Sequence, residues 1–256
     1  MGLIRLDKYL ADMQLGTRSE VKNIIKKGKV TIDGVVVKSA DVKIDTQKCN
    51  VVCDGVTIGY CQTEYFMLNK PKGVLSATMD KKQPTVVDLI KDKSRKDLFP
   101  VGRLDKDTEG LLLITNDGEL AHNLLSPKKH VDKVYFAVVA GVVDETIVKE
   151  FEKGVVINDE FTALPAKLEV LNTNNQEYDV TASEVLVTIQ EGKFHQVKKM
   201  FLAVGSEVLY LKRLSMGSLK LDENLKVGEY RHLTNEELQA LKRLLVKTNQ
   251  KKQNTF

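Results

Sequence analysis

The sequence predicts an α+β protein with two domains. Residues 1–60 are expected to form a small domain of two helices and a short β hairpin. Residues 61–245 are expected to form a larger domain with a mixed, mainly antiparallel sheet flanked by helices, and residues 246–256 a disordered polar tail. Helical apolar spacing in short segments, Asp-Gly turns between short β-branched runs, and later strands joined mostly by turns all predict this class.

The elements of the small domain can be placed in order. Apolar residues recur at helical spacing over residues 6–13. The sequence Thr17-Arg18-Ser19-Glu20 is a capping box, so a second helix should begin there and end near Lys27. The dipeptides Asp33-Gly34 and Asp54-Gly55 each separate two Val-rich runs, which is typical of two-residue hairpins.

The larger domain should begin with a strand at 65–69, followed by a short helix at 86–90. The sequence Asn116-Asp117-Gly118 is expected to turn a strand at 111–115 into a helix at 119–125, and Thr234 opens a last capping box and a helix to about residue 245. The remaining elements are expected as follows: strands at 134–139, 155–157, 167–171, 184–190 and 207–211, and helices at 146–153 and 196–204.

Basic residues are concentrated near the start of the chain. The net charge is +4, and residues 1–29 hold seven Lys and Arg against three Asp and Glu. A solvated helix face explains such a run, and so does a surface that binds a polyanion. No apolar run approaches the roughly 18 residues of a membrane span.

The cysteines Cys49, Cys53 and Cys61 are odd in number and sparse, which favours reduced thiols in a cytosol. They do not predict a zinc site, because no histidine lies near them in the sequence.

The sequence from Gly102 to Leu113, GRLDKDTEGLLL, places a charged loop immediately before an apolar strand. A carboxylate mounted there would be held rigidly, so Asp105 is the first candidate for catalysis. Three alternatives compete with a catalytic role. An EF-hand calcium loop would need a Glu where Asn116 stands, a glycosidase carboxylate pair lacks a sugar platform because the chain has no Trp, and an ordinary loop carboxylate would do no chemistry.

This segment resembles the G-R-L-D-x-x-T-x-G-L-L motif of the pseudouridine synthases that modify ribosomal RNA. The resemblance implies that Asp105 is the catalytic residue, as a nucleophile at the sugar or as a base, and that Arg103 fills the base stack vacated by the everted uridine. Lys133-Val134-Tyr135 is similar to the family's K-x-Y motif, which implies that Tyr135 stacks on the uracil. The sequence EGKFHQVKKM, residues 191–200, resembles a later motif whose basic residue, here Lys198, pairs with the catalytic Asp. A cation beside a carboxylate favours its ionised form.

Residues 1–60 resemble the S4 domain, an RNA-binding module. The matching sequences are RLDKYL at 5–10, TRSE at 17–20, IKKGKV at 25–30 and the Asp33-Gly34 turn. The implied RNA-binding residues are Arg5, Lys8, Thr17, Arg18, Ser19, Lys22 and Lys26. In the larger domain, Lys70 and Lys72 are expected to line the path of the RNA backbone beside Arg103.

Over nearly its whole length the chain is similar to the small-subunit, or RsuA, group of these synthases. The resemblance implies a cytoplasmic, monomeric isomerase without cofactor, metal or membrane association. Its target would be uridine 516 of 16S rRNA in an assembling small subunit. Two alternatives stay open: a synthase for a 23S rRNA uridine, and a non-catalytic S4-bearing assembly factor.

Overall fold

The computed structural model describes residues 3–253 except 159, 160, 176, 177 and 179. The chain separates into two compact units. The first contains the residues up to Glu64 and a second segment, Lys91–Leu98, whereas the second contains Tyr65–Ile90 and the chain from Phe99 onward.

The first unit contains two helices and short strands around one apolar core. Its elements are β1 (Ile4–Arg5), α1 (Leu6–Asp12), α2 (Arg18–Lys26), β2 (Val30–Ile32), β3 (Val35–Val36), β4 (Lys43–Ile44), β5 (Val51–Cys53) and β6 (Val56–Ile58). Strands β3, β2, β5 and β6 form an antiparallel sheet, and β1 pairs with β4. The capping box is present, since the Thr17 hydroxyl accepts from the Glu20 amide and the Glu20 carboxylate accepts from the Thr17 amide.

The segment Lys91–Leu98 was not expected in the first unit, which the sequence predicted as one continuous stretch. The Glu64 carboxylate accepts hydrogen bonds from the amides of Ser94, at 3.0 Å, and Arg95, at 2.8 Å. The Arg95 side chain is 6% exposed and pairs with Asp12 at 3.1 Å and Asp97 at 2.7 Å. Because a buried guanidinium requires carboxylate partners, these bonds fix the segment to this unit.

The second unit is built on one large sheet. Its elements are β7 (Tyr65–Lys70), β8 (Phe99–Pro100), β9 (Glu109–Thr115), α3 (Gly118–Leu125), β10 (Lys133–Ala140), α4 (Glu145–Lys153), β11 (Val156–Asn158), β12 (Phe161–Thr162), β13 (Lys167–Asn175), β14 (Ala182–Ile189), α5 (Gln196–Ala203), β15 (Val208–Met216), β16 (Leu219–Lys220), β17 (Tyr230–His232) and α6 (Asn235–Gln253). Among the described residues, no helix is both long enough and apolar enough to cross a bilayer.

The sheet confirms the mixed, mainly antiparallel arrangement. Its strand order is β13-β14-β10-β15-β9-β7-β17, with β16 beside β15 and β8 beside β9. Only the β9–β15 pairing among these strands is parallel, and it joins Glu109 to Lys212 and Gly110 to Arg213. Helices α3 and α6 cover part of one apolar core, which includes Met67, Leu113 and Leu241. The loop that precedes β9 therefore lies beside the middle of the sheet.

Two expected elements were wrong. Residues 86–90 form a turn rather than a helix: the amides of Asp88 and Ile90 donate to the carbonyls three residues earlier, those of Thr85 and Val87, at 3.1 and 3.3 Å. The predicted tail at 246–256 is helical as far as Gln253, since α6 continues eight residues beyond Leu245. The rest of that tail, residues 254–256, lies outside the described residues.

Candidate active site

The loop that holds Asp105 connects β8 to β9, and backbone hydrogen bonds fix its shape. The Ser76 hydroxyl donates to the carbonyl of Leu104 at 2.7 Å and accepts from its amide at 3.1 Å. The Gly73 amide donates to the carbonyl of Lys106 at 2.8 Å, and the Thr108 amide donates to the carbonyl of Asp105 at 3.1 Å. The segment after β7 therefore supports the loop from one side.

Lys70 holds the same loop from inside the protein. Its ammonium group donates to the carbonyls of Asp105 at 3.1 Å and Thr108 at 3.0 Å, and also to those of Pro71 and Lys106. The side chain is fully buried, so the prediction that Lys70 lines the RNA path is wrong. Burial lowers its pKa to about 8, against the opposing effect of Asp107, Glu109 and Asp105.

The Asp105 carboxylate lies between two basic side chains from the α5 region. His195 Nε2 lies 3.5 Å from Asp105 Oδ1, and Lys198 Nζ lies 3.7 Å from Oδ2. The expected proximity of Lys198 and Asp105 is thus present, but it is an ion pair without a hydrogen bond.

The closer partner of Lys198 is Asp107. Its ammonium group donates to both carboxylate oxygens of Asp107 at 2.6 Å. This hydrogen bond is the main reason that the pKa of Asp107 lies below the ordinary aspartate value. The sequence showed two carboxylates within reach of one lysine, and the structure gives the tighter bond to Asp107.

The carboxylates at positions 1, 3 and 5 of the EF-hand pattern, those of Asp105, Asp107 and Glu109, face different partners. Asp107 binds the Lys198 ammonium, while the Glu109 carboxylate accepts a hydrogen bond from the Tyr210 hydroxyl at 2.7 Å. Asn116, at the last ligand position of the EF-hand pattern, follows β9 rather than a helix. The loop therefore lacks the convergent oxygens that a calcium loop requires.

Tyr135 comes from β10, in the middle of the sheet, and is 7% exposed. It lines a small cavity of about 50 Å³ together with Asp105, Lys198 and His195. The structure thus brings the three predicted catalytic residues, Asp105, Tyr135 and Lys198, to one cavity.

The α5 segment is held in place by buried polar groups. The Gln196 side chain donates to the Glu191 carboxylate at 2.6 Å and accepts from the Lys193 amide at 2.9 Å. Glu191 also accepts from the Leu164 amide at 2.8 Å. Because these groups are buried and mutually satisfied, they position Lys198 in the first turn of the helix.

Arg103 is exposed at the rim of the same site. It lines the small cavity and two larger ones, of about 370 and 500 Å³, which also include Asp105 and His195 in their walls. Lys72 is exposed, and its ammonium group lies 4.9 Å from the centre of the Tyr210 ring.

The predicted RNA-binding residues of the first unit differ in whether they are simply exposed or are paired with a carboxylate. Thr17, Arg18, Ser19, Lys22 and Lys26 are exposed along α2 and its start. Arg5 instead binds both carboxylate oxygens of Asp7, and Lys8 pairs with Asp12 at 2.7 Å.

Sequence reasoning missed the site roles of three residues. Neither Asp107 nor His195 was predicted to lie beside the Asp105 carboxylate, and Lys70 was predicted to line the path of the RNA backbone. The spacing of Asp107 two residues after Asp105 was an available signal, because two carboxylates so close compete for one cation. The burial of Lys70 had no comparable signal in the sequence.

Comparisons with known proteins show the family to which this chain belongs. The family described as RNA pseudouridylate synthase matches residues 64–203, and the S4 domain matches residues 4–47. An uncharacterized RNA pseudouridine synthase, YtzG, of Bacillus subtilis is 49% identical over 239 residues, which cover 93% of this chain and 98% of that protein. Ribosomal small subunit pseudouridine synthase A of Vibrio cholerae is 40% identical, with coverage of 93% and 99%. A crystal structure of a pseudouridylate synthase superimposes with a TM-score of 0.63 at 36% identity, covering 93% of this chain and 99% of that one.

The fold, the site and these matches define an RNA-modifying isomerase that carries an S4 domain. The chain belongs to the RsuA family of rRNA pseudouridine synthases. Its reaction replaces the bond from uracil N1 to ribose C1′ by a bond from uracil C5, with loss of the C5 proton and gain of a proton at N1.

Proposed function

We propose that this enzyme isomerises a uridine of 16S rRNA in an assembling small subunit, with uridine 516 as the specific target. The relatives in Vibrio cholerae and Salmonella typhimurium are named ribosomal small subunit pseudouridine synthase A, and this chain matches 99% and 100% of their lengths. An rRNA substrate of this kind implies a cytoplasmic enzyme, and we expect it to act as a monomer.

The observation that carries the catalytic proposal is the shared cavity of Asp105, Tyr135 and Lys198. The Asp105 carboxylate acts at the ribose, either by attack on C1′ or by removal of the C2′ proton. The Tyr135 ring packs on the detached uracil while the base turns, and Lys198 supplies positive charge beside the carboxylates.

Arg103 fills the space that the everted uridine leaves in the RNA, since it is exposed at the rim of the cavity. Arg5, Lys8, Lys22 and Lys26 with Thr17, Arg18 and Ser19 bind the RNA backbone in the first unit, and Lys72 binds it in the second.

Release of tritium from RNA labelled at uridine C5 tests this proposal, because the C5 proton must leave during isomerisation. The purified protein is incubated with free 16S rRNA, small-subunit assembly intermediates and free 23S rRNA. Release from a 16S substrate and not from 23S rRNA is expected. Release from 23S rRNA alone would move the target to the large subunit, and no release from any substrate would favour the non-catalytic assembly factor.

The two routes for Asp105 are separated by deuterium at ribose C2′ of the target uridine. Removal of the C2′ proton predicts a slower first turnover with the deuterated RNA. Direct attack on C1′ predicts a first turnover close to that of the unlabelled RNA.

A further inference from the structure

Phe194 and His195 form an aromatic pair at the opening of the site. Their ring centres are 3.7 Å apart and their planes differ by 20°, so the rings are stacked. Phe194 is 65% exposed, so its ring is accessible from solvent while it stacks on His195.

The backbone at this pair breaks two local preferences. His195 has φ 54 and ψ 32, the left-handed region, which a non-glycine residue occupies at an unfavourable energy of about 1 kcal/mol. It also precedes α5 at the capping position without making a side-chain cap hydrogen bond. The buried Glu191–Gln196 bond holds this conformation from behind. Local conflicts of this kind occur where function requires a side chain in one place.

The pair lies where the larger cavities meet. Phe194 and His195 both line the cavities of about 370 and 500 Å³, together with Arg103 and Asp105. The small cavity beside Tyr135 includes His195 but not Phe194. Phe194 therefore lines only the two larger cavities, whereas His195 also lines the small cavity that contains Tyr135.

One cation lies over the exposed ring, and others line the same cavities. The Lys199 ammonium lies 5.3 Å from the Phe194 ring centre, and the larger cavities are also lined by Lys193, Lys106 and Arg103. A flat apolar ring beside several ammonium groups matches a nucleotide, which has an aromatic base and an anionic phosphate. It suits an apolar peptide less well, because such a partner would leave the cations without counter-charges.

We propose that the Phe194–His195 pair is a stacking platform for the base next to the everted uridine in the RNA strand. The proposal rests on the proposed function, because the target ribose must lie at Asp105, within 3.5 Å of His195 Nε2. The neighbouring nucleotide then emerges into the larger cavities, where its base extends the aromatic stack and its phosphate lies near Lys199.

The test uses four proteins: the wild type, Phe194→Ala, Phe194→Tyr and Leu202→Ala. Leu202 is a matched control, since it is a 69% exposed apolar residue on α5 that lines none of the three cavities. The RNA is the rRNA fragment that the wild type binds most tightly, with 2-aminopurine placed on either side of the target uridine. Because Phe194 is exposed, its replacement should leave the fold intact, and thermal melting verifies this.

Binding of the wild type, Phe194→Tyr and Leu202→Ala should quench the 2-aminopurine fluorescence at one flanking position, and Phe194→Ala should not. The affinity of Phe194→Ala should fall about 5- to 100-fold, as expected for loss of one base stack. An abasic site at that flanking position should weaken the wild type by a similar factor and leave Phe194→Ala unchanged.

Equal quenching and equal affinity for the wild type and Phe194→Ala would overturn the platform. The readout needs binding and not turnover, so it decides the proposal even if the wild type releases no tritium. If the wild type releases tritium, and Phe194→Ala quenches the fluorescence and binds RNA as the wild type does, only the platform is refuted. Absence of tritium release from every wild-type substrate would refute the proposed function instead.

Discussion

The α2 surface of the first unit and the Asp105 loop of the second use charge in opposite ways. Arg18, Lys22 and Lys26 are exposed, and their side chains form no ion pair with another residue that the structure describes. In the loop, Lys70 is bound by backbone carbonyls, and Lys198 is bound by Asp107. Free cations suit a long polyanion whose contacts vary, whereas fixed charges suit a reaction at one atom.

This contrast predicts that chemistry and RNA binding can be separated by mutation. Asp105→Asn keeps the size of the side chain but removes the charge that we propose reacts at the ribose. Single-turnover tritium release should fall at least about 1000-fold. RNA affinity, measured by filter binding, should stay close to that of the wild type. A variant with normal turnover would exclude Asp105 from the reaction.

Lys70→Met tests whether the loop depends on its buried ammonium. Methionine is similar in length but cannot donate, so carbonyls of Asp105 and Thr108 lose a buried partner. The free energy of unfolding should drop by at least about 2 kcal/mol, as judged by denaturant melts. Turnover should fall with it at temperatures where the variant is still folded. The exposed Lys72→Met is the control, and it should melt like the wild type. Equal melting of both variants would contradict the role assigned to Lys70.

The double variant Arg18→Ala/Lys22→Ala tests the α2 surface of the first unit. RNA affinity should fall about 10-fold, and the slope of log affinity against log salt should flatten by about 1 for each side chain removed. Turnover of bound RNA should be unchanged. Lys48→Ala is the control, because its side chain is 84% exposed in the same unit but was not among the predicted contacts. A salt slope that matched the control would show that the α2 surface does not bind phosphates.

The smallest effect is expected for Asp107→Asn. Without its nearest carboxylate, the Lys198 ammonium should turn to Asp105, now 3.7 Å away, and make that carboxylate less reactive. A few-fold slower single turnover is expected, with RNA affinity equal or slightly higher. Turnover equal to that of the wild type would show that the reaction rate does not depend on which of the two carboxylates Lys198 binds more closely.

The pH dependence of the Asp107→Asn variant has a defined sign. The folded pKa of Asp107 lies below its unfolded value, so its contribution to stability is present above the unfolded pKa and disappears as pH falls through the folded value. Because the side chain is 69% exposed, the loss near neutral pH should not exceed about 1 kcal/mol. Melting of wild type and variant should therefore converge at acid pH.

The sequence predicted the features that depend on neighbouring residues. The Thr17 capping box and the Asp33-Gly34 turn are present because their bonds and positive φ values are satisfied locally. Asp105 was singled out because its motif is continuous in the chain. Features that depend on distant contacts were missed: Lys70 looks like a surface lysine beside a Pro-Lys-Gly turn, and only the folded loop buries it. The apolar residues at 86–90 favoured a helix, but the amides of Asp88 and Ile90 donate to carbonyls three residues earlier and close turns instead.

The motif identifies Lys198 and Asp105 as neighbours but does not predict that Asp107 is the closer partner of Lys198. Asp105 and Asp107 are two residues apart, so the sequence offers the lysine both carboxylates. In the folded loop, where the Thr108 amide donates to the Asp105 carbonyl, the Lys198 ammonium lies 2.6 Å from Asp107 and 3.7 Å from Asp105. That choice is made by backbone geometry, which the motif does not encode.

The central claim is that the Asp105 carboxylate isomerises one uridine of 16S rRNA. Mass-spectrometric mapping of pseudouridine in both large rRNAs, from cells lacking this protein and supplied with either the wild type or Asp105→Asn, tests it directly. We expect one 16S site to lose its pseudouridine, to regain it with the wild type and to remain uridine with Asp105→Asn. An unchanged 16S map in the deleted cells, or full restoration by Asp105→Asn, would contradict the claim.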